Sequence, residues 1–84
     1  MATGNEINVL YFAQVAEHTQ KREERWPLKA PIQAKQWLAQ LENRYPQLAP
    51  VNRLKIAINQ QHAPVDSLIR PGDEVAVFEP VTGG

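Results

Sequence analysis

One segment of this sequence has the apolar spacing of an α-helix, and the segments on both sides of it have the composition of β-strands. Apolar side chains recur in it at i, i+3, i+4, i+7 and i+11, which places them on one helical face. They are Ala34, Trp37, Leu38, Leu41 and Tyr45. Pro31 precedes the segment and Pro46 ends it, because proline interrupts helical hydrogen bonding. In a chain of 84 residues, we expect this apolar face to be buried against a sheet.

Five other segments predict β-strands. Residues 7–12 are rich in β-branched and aromatic side chains, residues 54–59 alternate apolar and polar side chains, and residues 74–78 predict the last strand. Residues 21–28 are charged and contain a proline, which indicates a strand at the edge of the sheet. Residues 63–65 predict a further, short edge strand.

The remaining segments are predicted as connections. Residues 13–19 are expected to link the first two strands, and residues 66–70 to form a single turn with Leu68 pointing inward. Residues 70–73, Arg-Pro-Gly-Asp, suit a type II turn, because the proline fixes φ at its second position and the glycine supplies a positive φ at its third.

The order strand, strand, helix, strand, short strand, strand favours a mixed sheet. A right-handed crossover through the helix would place the first and last strands side by side. One helix on one face of one sheet makes the predicted fold class α+β, with two layers.

The face of the sheet turned away from the helix is predicted to be apolar at one end. Alternation along the strands places Leu10, Phe12 and Phe78 there, beside the point where the last strand ends. Single exposed apolar residues are common, but a face open only to water would be polar throughout. We therefore predict that these three side chains form a docking patch for a partner protein.

Composition excludes several function classes. Nine basic and nine acidic side chains cancel, which disfavours binding to nucleic acid or to an anionic membrane. The sequence has no apolar run long enough to span a membrane and no signal-peptide pattern, so we expect a cytoplasmic location. It has no cysteine, and His18 and His62 lack partners at metal-ligand spacing, so neither a thiol nucleophile nor a metal site is predicted.

The sequence ends in Pro80-Val81-Thr82-Gly83-Gly84. A carboxylate on a Gly-Gly end has no side chain beside it, so it can enter a narrow channel and reach another protein's active site. Extended, these five residues would reach at most about 16 Å. The alternative is an inert, frayed terminus. We predict a folded domain over residues 1–79 and a functional tail over residues 80–84.

These features together resemble a known family. The segments that carry the resemblance are VLYFA at 9–13, AIN at 57–59, Leu68, GDEVA at 72–76 and PVTGG at 80–84. The chain is similar over most of its length to the small, sulfur-carrying subunits of molybdopterin synthase, which have the ubiquitin-like β-grasp fold. It departs from their pattern at Glu79, where the family commonly has a second proline, in residues 21–31, and around Pro50.

The resemblance implies a mechanism for the tail. An adenylating enzyme would use ATP to activate the carboxylate of Gly84, and a sulfur donor protein would then convert it to a thiocarboxylate. The carrier would dock in the large subunit of the synthase and give its sulfur to a pterin precursor. It implies no catalytic side chain on this chain and no permanently bound cofactor.

Other roles remain open at this stage. The chain could be a protein modifier joined to targets through Gly84, a thiamine-pathway sulfur carrier, or an interaction domain with an inert tail. The lead-in Pro80-Val81 argues mildly against the thiamine pathway.

Overall fold

The computed structural model describes residues 4–80, which contain seven strands and two α-helices. The elements are β1 (Glu6–Tyr11), α1 (Ala13–Thr19), β2 (Glu23–Pro27), β3 (Ile32–Gln33), α2 (Ala34–Arg44), β4 (Lys55–Ile58), β5 (Gln61–Ala63), β6 (Leu68–Ile69) and β7 (Glu74–Phe78). Two short 3₁₀ turns, Pro46–Leu48 and Val51–Arg53, connect α2 to β4.

Five of the strands form one mixed sheet in the order β2-β1-β7-β4-β5. β1 and β7 pair in parallel, with Val9 opposite Val75, while the other neighbours are antiparallel. The first and last strands are therefore side by side at the centre, and β2 lies at an edge, as the sequence predicted. β3 and β6 form a separate two-stranded sheet.

The helix α2 covers one face of the five-stranded sheet and encloses the core with it. Its apolar side chains Ala34, Trp37, Leu38 and Leu41 are all buried, as predicted for one helical face. Tyr45, the fifth predicted member, lies just after the helix and is half-buried. Trp37 meets Trp26 of β2 edge to face, with ring centroids 5.6 Å apart. The sheet contributes the inward side chains of alternate positions, and these are Ile7, Val9, Tyr11, Ile56, Val75 and Val77. The two-layer α+β prediction is confirmed.

The prediction of a simple connection over residues 13–19 is wrong, because these residues form α1. Val15 and Thr19 are buried one turn apart, and the Thr19 hydroxyl donates to the Val15 carbonyl at 3.1 Å. The helix ends at Gln20, which has a φ of 61°. Seven residues span only about two helical turns, too few for apolar periodicity to reveal a helix.

Two predictions in the last third of the chain are wrong in detail. The short edge strand occupies Gln61–Ala63 rather than 63–65, because the tight turn is made by Asn59 and Gln60, both with positive φ. Leu68 does not point inward but is 44% exposed, while its neighbour Ile69 is fully buried. The segment is a strand that pairs with β3, so alternation selects Ile69 for the core.

Candidate functional site

The site begins where β7 ends. Because β1 and β7 are parallel, their carboxyl ends lie at the same edge of the sheet, and the Phe12 N–H donates to the Val77 carbonyl at 3.2 Å. The last residue of β7, Phe78, pairs with Lys55 of β4. Pro80 follows and has no N–H to continue the ladder. The predicted tail therefore starts at the edge of the sheet formed by the carboxyl ends of its two central strands.

The rest of the predicted tail, Val81, Thr82, Gly83 and Gly84, lies outside the described residues. The roles assigned to these four residues, like the boundary between domain and tail, stay predictions.

The residues of the predicted docking patch lie on β1, directly after β1, and at the end of β7. Leu10 and Phe78 are half-buried and Phe12 is 49% exposed, whereas the alternate residues Tyr11 and Val77 are buried under α2. The register places Leu10 beside Ala76 and ends at Tyr11 beside Val77, and Phe12 follows as the residue before α1. Leu10 and Phe78 therefore alternate with buried residues, as expected of the open face, while the patch of three side chains and its role in docking stay a prediction.

His62 is a member of this face that sequence reasoning missed. Its ring lies edge to face on Phe78, with centroids 5.3 Å apart. His62 is on β5 opposite Ala57, which in turn is opposite Ala76 of β7. The register of the β4–β5 hairpin was the signal that could have found it. Residues 4–80 contain no cluster of side chains able to hold a metal ion.

An open groove adjoins the patch at Phe12. Its volume is about 820 Å³, and apolar side chains of β1 and α1 line it together with two cations. The lining includes Leu10, Phe12, Ala13, Ala16, Lys21 and Arg22. The lining also includes Glu17, Gln14 and Gln20, so the groove carries charges of both signs beside its apolar side chains.

On the covered side, Glu24 is the centre of a polar cluster. Its carboxylate accepts from the hydroxyls of Tyr11 at 2.7 Å and Tyr45 at 2.9 Å, and it pairs with Lys21 and Arg44 at 3.0 Å each. Burial on its own raises the pKa of Glu24, but these hydrogen bonds and the charge of Arg44 outweigh it and hold the pKa below its usual range. Burial and the hydrogen bond to Glu24 raise the pKa of Tyr11.

This cluster is structural rather than catalytic. The Glu24 side chain is only 7% exposed and already has four donors, so it is not available as a general acid or base. It joins β1, β2 and the carboxyl end of α2, and therefore holds the helix on the sheet.

The chain is similar in sequence to proteins of a known family. Residues 9–84 match the sequence model of the ThiS family. The chain belongs to this family. Its relatives include human and Escherichia coli proteins named molybdopterin synthase sulfur carrier subunit. The human protein is 37% identical over 83 residues, covering 94% of each chain, and the E. coli protein is 36% identical over 80 residues, covering 93% of this chain and 99% of its own.

Solved structures agree with the fold expected of a ThiS-family member. The Haloferax volcanii protein HVO 2177 has a TM-score of 0.82 at 23% identity, covering 100% of this chain and 92% of its own. A putative molybdopterin converting factor subunit 1 from Pyrococcus furiosus has a TM-score of 0.80 at 22% identity, covering 92% and 99%. The predicted ubiquitin-like β-grasp fold and family resemblance are confirmed. Within residues 4–80, none of the helices has the length and apolar character that crossing a membrane requires.

Proposed function

We propose that this protein is the sulfur-carrying small subunit of a molybdopterin synthase and acts in molybdenum cofactor biosynthesis. The observation that carries the proposal is the set of relatives with that name, at 30–37% identity over nearly the whole chain. The open-face patch and the position of Pro80 beside it support the proposal, because a carrier must dock and extend its end into a partner.

The chemistry proposed for Gly84 has two steps. The carboxylate attacks the α-phosphorus of ATP in an activating enzyme, releasing pyrophosphate and leaving an acyl-adenylate. Sulfur at the sulfide level, supplied by a donor protein as hydrosulfide, then attacks the acyl carbon and expels AMP, which leaves a thiocarboxylate. Activation is needed because a free carboxylate resists nucleophiles, whereas AMP is a good leaving group. The sequence contains no cysteine, so the main-chain carboxyl group is the proposed carrier of sulfur.

Docking is proposed to use the open face. Leu10, Phe12 and Phe78 would be covered by the large subunit, and the tail would cross into that subunit's active site, where the thiocarboxylate gives its sulfur to a pterin precursor. Buried aromatic side chains typically dominate such interfaces. No cofactor is proposed to stay bound to this chain, and ATP is a substrate of the activating enzyme.

The alternative of a protein modifier conjugated through Gly84 has weaker support. The small archaeal modifier protein 1 (SAMP1) of Haloferax volcanii has a crystal structure that matches with a TM-score of 0.77. Its sequence identity of 24% shows a common fold alone. The thiamine-pathway alternative would require a different large partner. Identifying the large protein that co-purifies with this chain would therefore distinguish the two pathways.

Intact-mass spectrometry tests the proposal. After incubation with the activating enzyme, ATP and a sulfur donor, the protein should gain the mass difference between one sulfur and one oxygen. A sample without ATP is the control and should keep its mass. The sulfurated protein, mixed with the large synthase subunit, should convert the pterin precursor. An unchanged mass, or sulfuration without transfer to the pterin, would contradict the proposal.

A further inference from the structure

An ion pair lies at the root of the tail. Arg53 ends the 3₁₀ turn Val51–Arg53, and its guanidinium contacts the carboxylate of Glu79, the residue that follows β7. Both side chains are partly buried, with 38% of Arg53 and 30% of Glu79 exposed. The pair joins residues that are 26 positions apart in sequence.

The register of the sheet explains why these two residues meet. Lys55 pairs with Phe78 in antiparallel strands, so continuing the register brings the residues before Lys55 alongside those after Phe78. Glu79 follows the alternation of Val75 and Val77, and its side chain therefore leaves on the side of the sheet that faces the core. The partly buried Glu79 carboxylate at the end of β7 requires a partner, because partial burial of an unpaired charge is unfavourable.

Among residues 4–80, this ion pair is also the last polar contact between the chain and the domain before the tail begins. Within residues 4–80, the main-chain hydrogen bonds outside the strands include none made by Glu79 or Pro80. Pro80 cannot donate one. The contact between the side chains of Glu79 and Arg53 is thus what holds the chain against the domain after β7 ends.

We propose that Arg53 and Glu79 form a clamp that sets the direction in which the tail leaves the sheet, and that Glu79 is a positioning residue for the reaction of the tail. This inference rests on the proposed function. A clamp at the root narrows the range of directions open to the residues beyond it, so less conformational entropy is lost when a partner's channel receives them. In this proposal the clamp acts before the chemistry, because its role is to orient the tail rather than to take part in the reaction of the carboxyl group.

The kinetics of adenylation distinguish a positioning role of the ion pair from a catalytic role. Replacing Arg53→Gln or Glu79→Gln should raise the KM of the activating enzyme for the carrier about three- to fivefold, as expected for a partly exposed ion pair. The kcat should stay unchanged, since a seated tail reacts as before. The swapped pair Arg53→Glu with Glu79→Arg should restore the KM at least in part.

Arg25→Gln is the matched control. It removes the same charge and breaks the ion pair of Arg25 with Glu6 at 3.5 Å, which lies at the opposite end of β1. Its KM should equal that of the unmodified protein. An unchanged KM in both clamp variants, an equal rise in Arg25→Gln, or a swapped pair no better than the single variants would overturn the clamp.

A second measurement does not depend on the proposed function. ¹⁵N relaxation of the free protein should show faster backbone motion at residues 80–84 in Arg53→Gln than in the unmodified protein or in Arg25→Gln. If the unmodified protein is not adenylated, the proposed function fails, and relaxation alone decides the clamp. Identical relaxation in all three proteins would refute the clamp even if adenylation were normal.

Discussion

At the scale of single residues, Glu24 decides how α2 is held on the sheet. One carboxylate receives two tyrosine hydroxyls and two cations from β1, the segment before β2, and the carboxyl end of α2. Arg44, one of the cations, also lies over the ring of Trp26 at 5.2 Å. Removing the carboxylate from such a cluster is destabilising, because the groups that it paired with are then left partly buried without a partner.

Replacing Glu24→Gln should therefore destabilise the domain by about 1–2 kcal/mol at neutral pH, because the amide loses the charge that four donors share. Urea unfolding measures the change. Glu23→Gln is the control, since the neighbouring Glu23 is exposed and its loss should have little effect. A Glu24→Gln variant as stable as the unmodified protein would show that the cluster contributes nothing net.

The same residue predicts a pH dependence. The pKa of Glu24 is lower in the folded state than in the unfolded chain, so its contribution to stability is fully present above the unfolded-state pKa. That contribution is lost as the pH falls through the folded-state pKa. The difference in unfolding free energy between the unmodified protein and Glu24→Gln should therefore shrink on acidification below about pH 4, the ordinary range for Glu. A difference that stayed constant from neutral pH to pH 3 would contradict this.

Phe78 is the residue of the patch whose replacement is most informative. Phe78→Ala should weaken binding to the large subunit about thirtyfold or more, the effect of an aromatic anchor at a hot spot. Because Phe78 is half-buried on the open face, its stability cost should stay below the about 3–5 kcal/mol of a core phenylalanine. Leu68→Ala is the control, since Leu68 is 44% exposed on the separate sheet. A folded Phe78→Ala variant with unchanged affinity would remove the patch from the interface.

At the scale of elements, the turn before β7 joins two strands through side chains. The Asp73 N–H donates to the Arg70 carbonyl at 3.0 Å, as the predicted turn requires, and the Asp73 carboxylate accepts from the Arg70 N–H at 2.8 Å. Asn59, after β4, donates to Asp73 at 3.1 Å and accepts from the Glu74 N–H at 3.0 Å. The start of β7 is therefore fixed to the end of β4.

Gly72 has a φ of 93° in this turn, and a Cβ there would meet nothing within 4 Å. Gly72→Ala should cost about 1–2 kcal/mol of stability through backbone strain alone. Gly72→Asn should cost less, because asparagine tolerates positive φ better than alanine. The order of urea midpoints, glycine above asparagine above alanine, checks the interpretation, and an alanine variant equal to glycine would contradict it.

For the molecule as a whole, the proposed function assigns docking to the folded domain and the sulfur chemistry to Gly84. Deleting Gly84, or adding one residue after it, should abolish sulfur delivery because the carboxyl carbon moves by about 3.5 Å. The melting temperature should not change, and adding one residue at the amino terminus is the control for length. Full synthase activity after deletion of Gly84 would contradict the proposed chemistry.

The features that could be predicted from the amino-acid sequence are those with local patterns. The face of α2 repeats every three to four residues, the strands alternate every two, and Pro71-Gly72 specifies a turn within four. Such patterns predicted the mixed sheet, the single covering helix and the placement of Leu10 and Phe78 on one face. The short helix α1 was missed because its seven residues are too few for a period to show.

Contacts between residues far apart in the sequence could be identified only from the folded structure. Tyr45 lies 21 residues from Glu24, and Arg53 lies 26 from Glu79, yet each pair is in contact. His62 meets Phe78 across the register of two strand pairs. These contacts depend on strand register and on the angle at which α2 crosses the sheet, which are set by packing of the whole core rather than by any local period. The polar cluster and the clamp at the tail root therefore emerge only when the chain is folded.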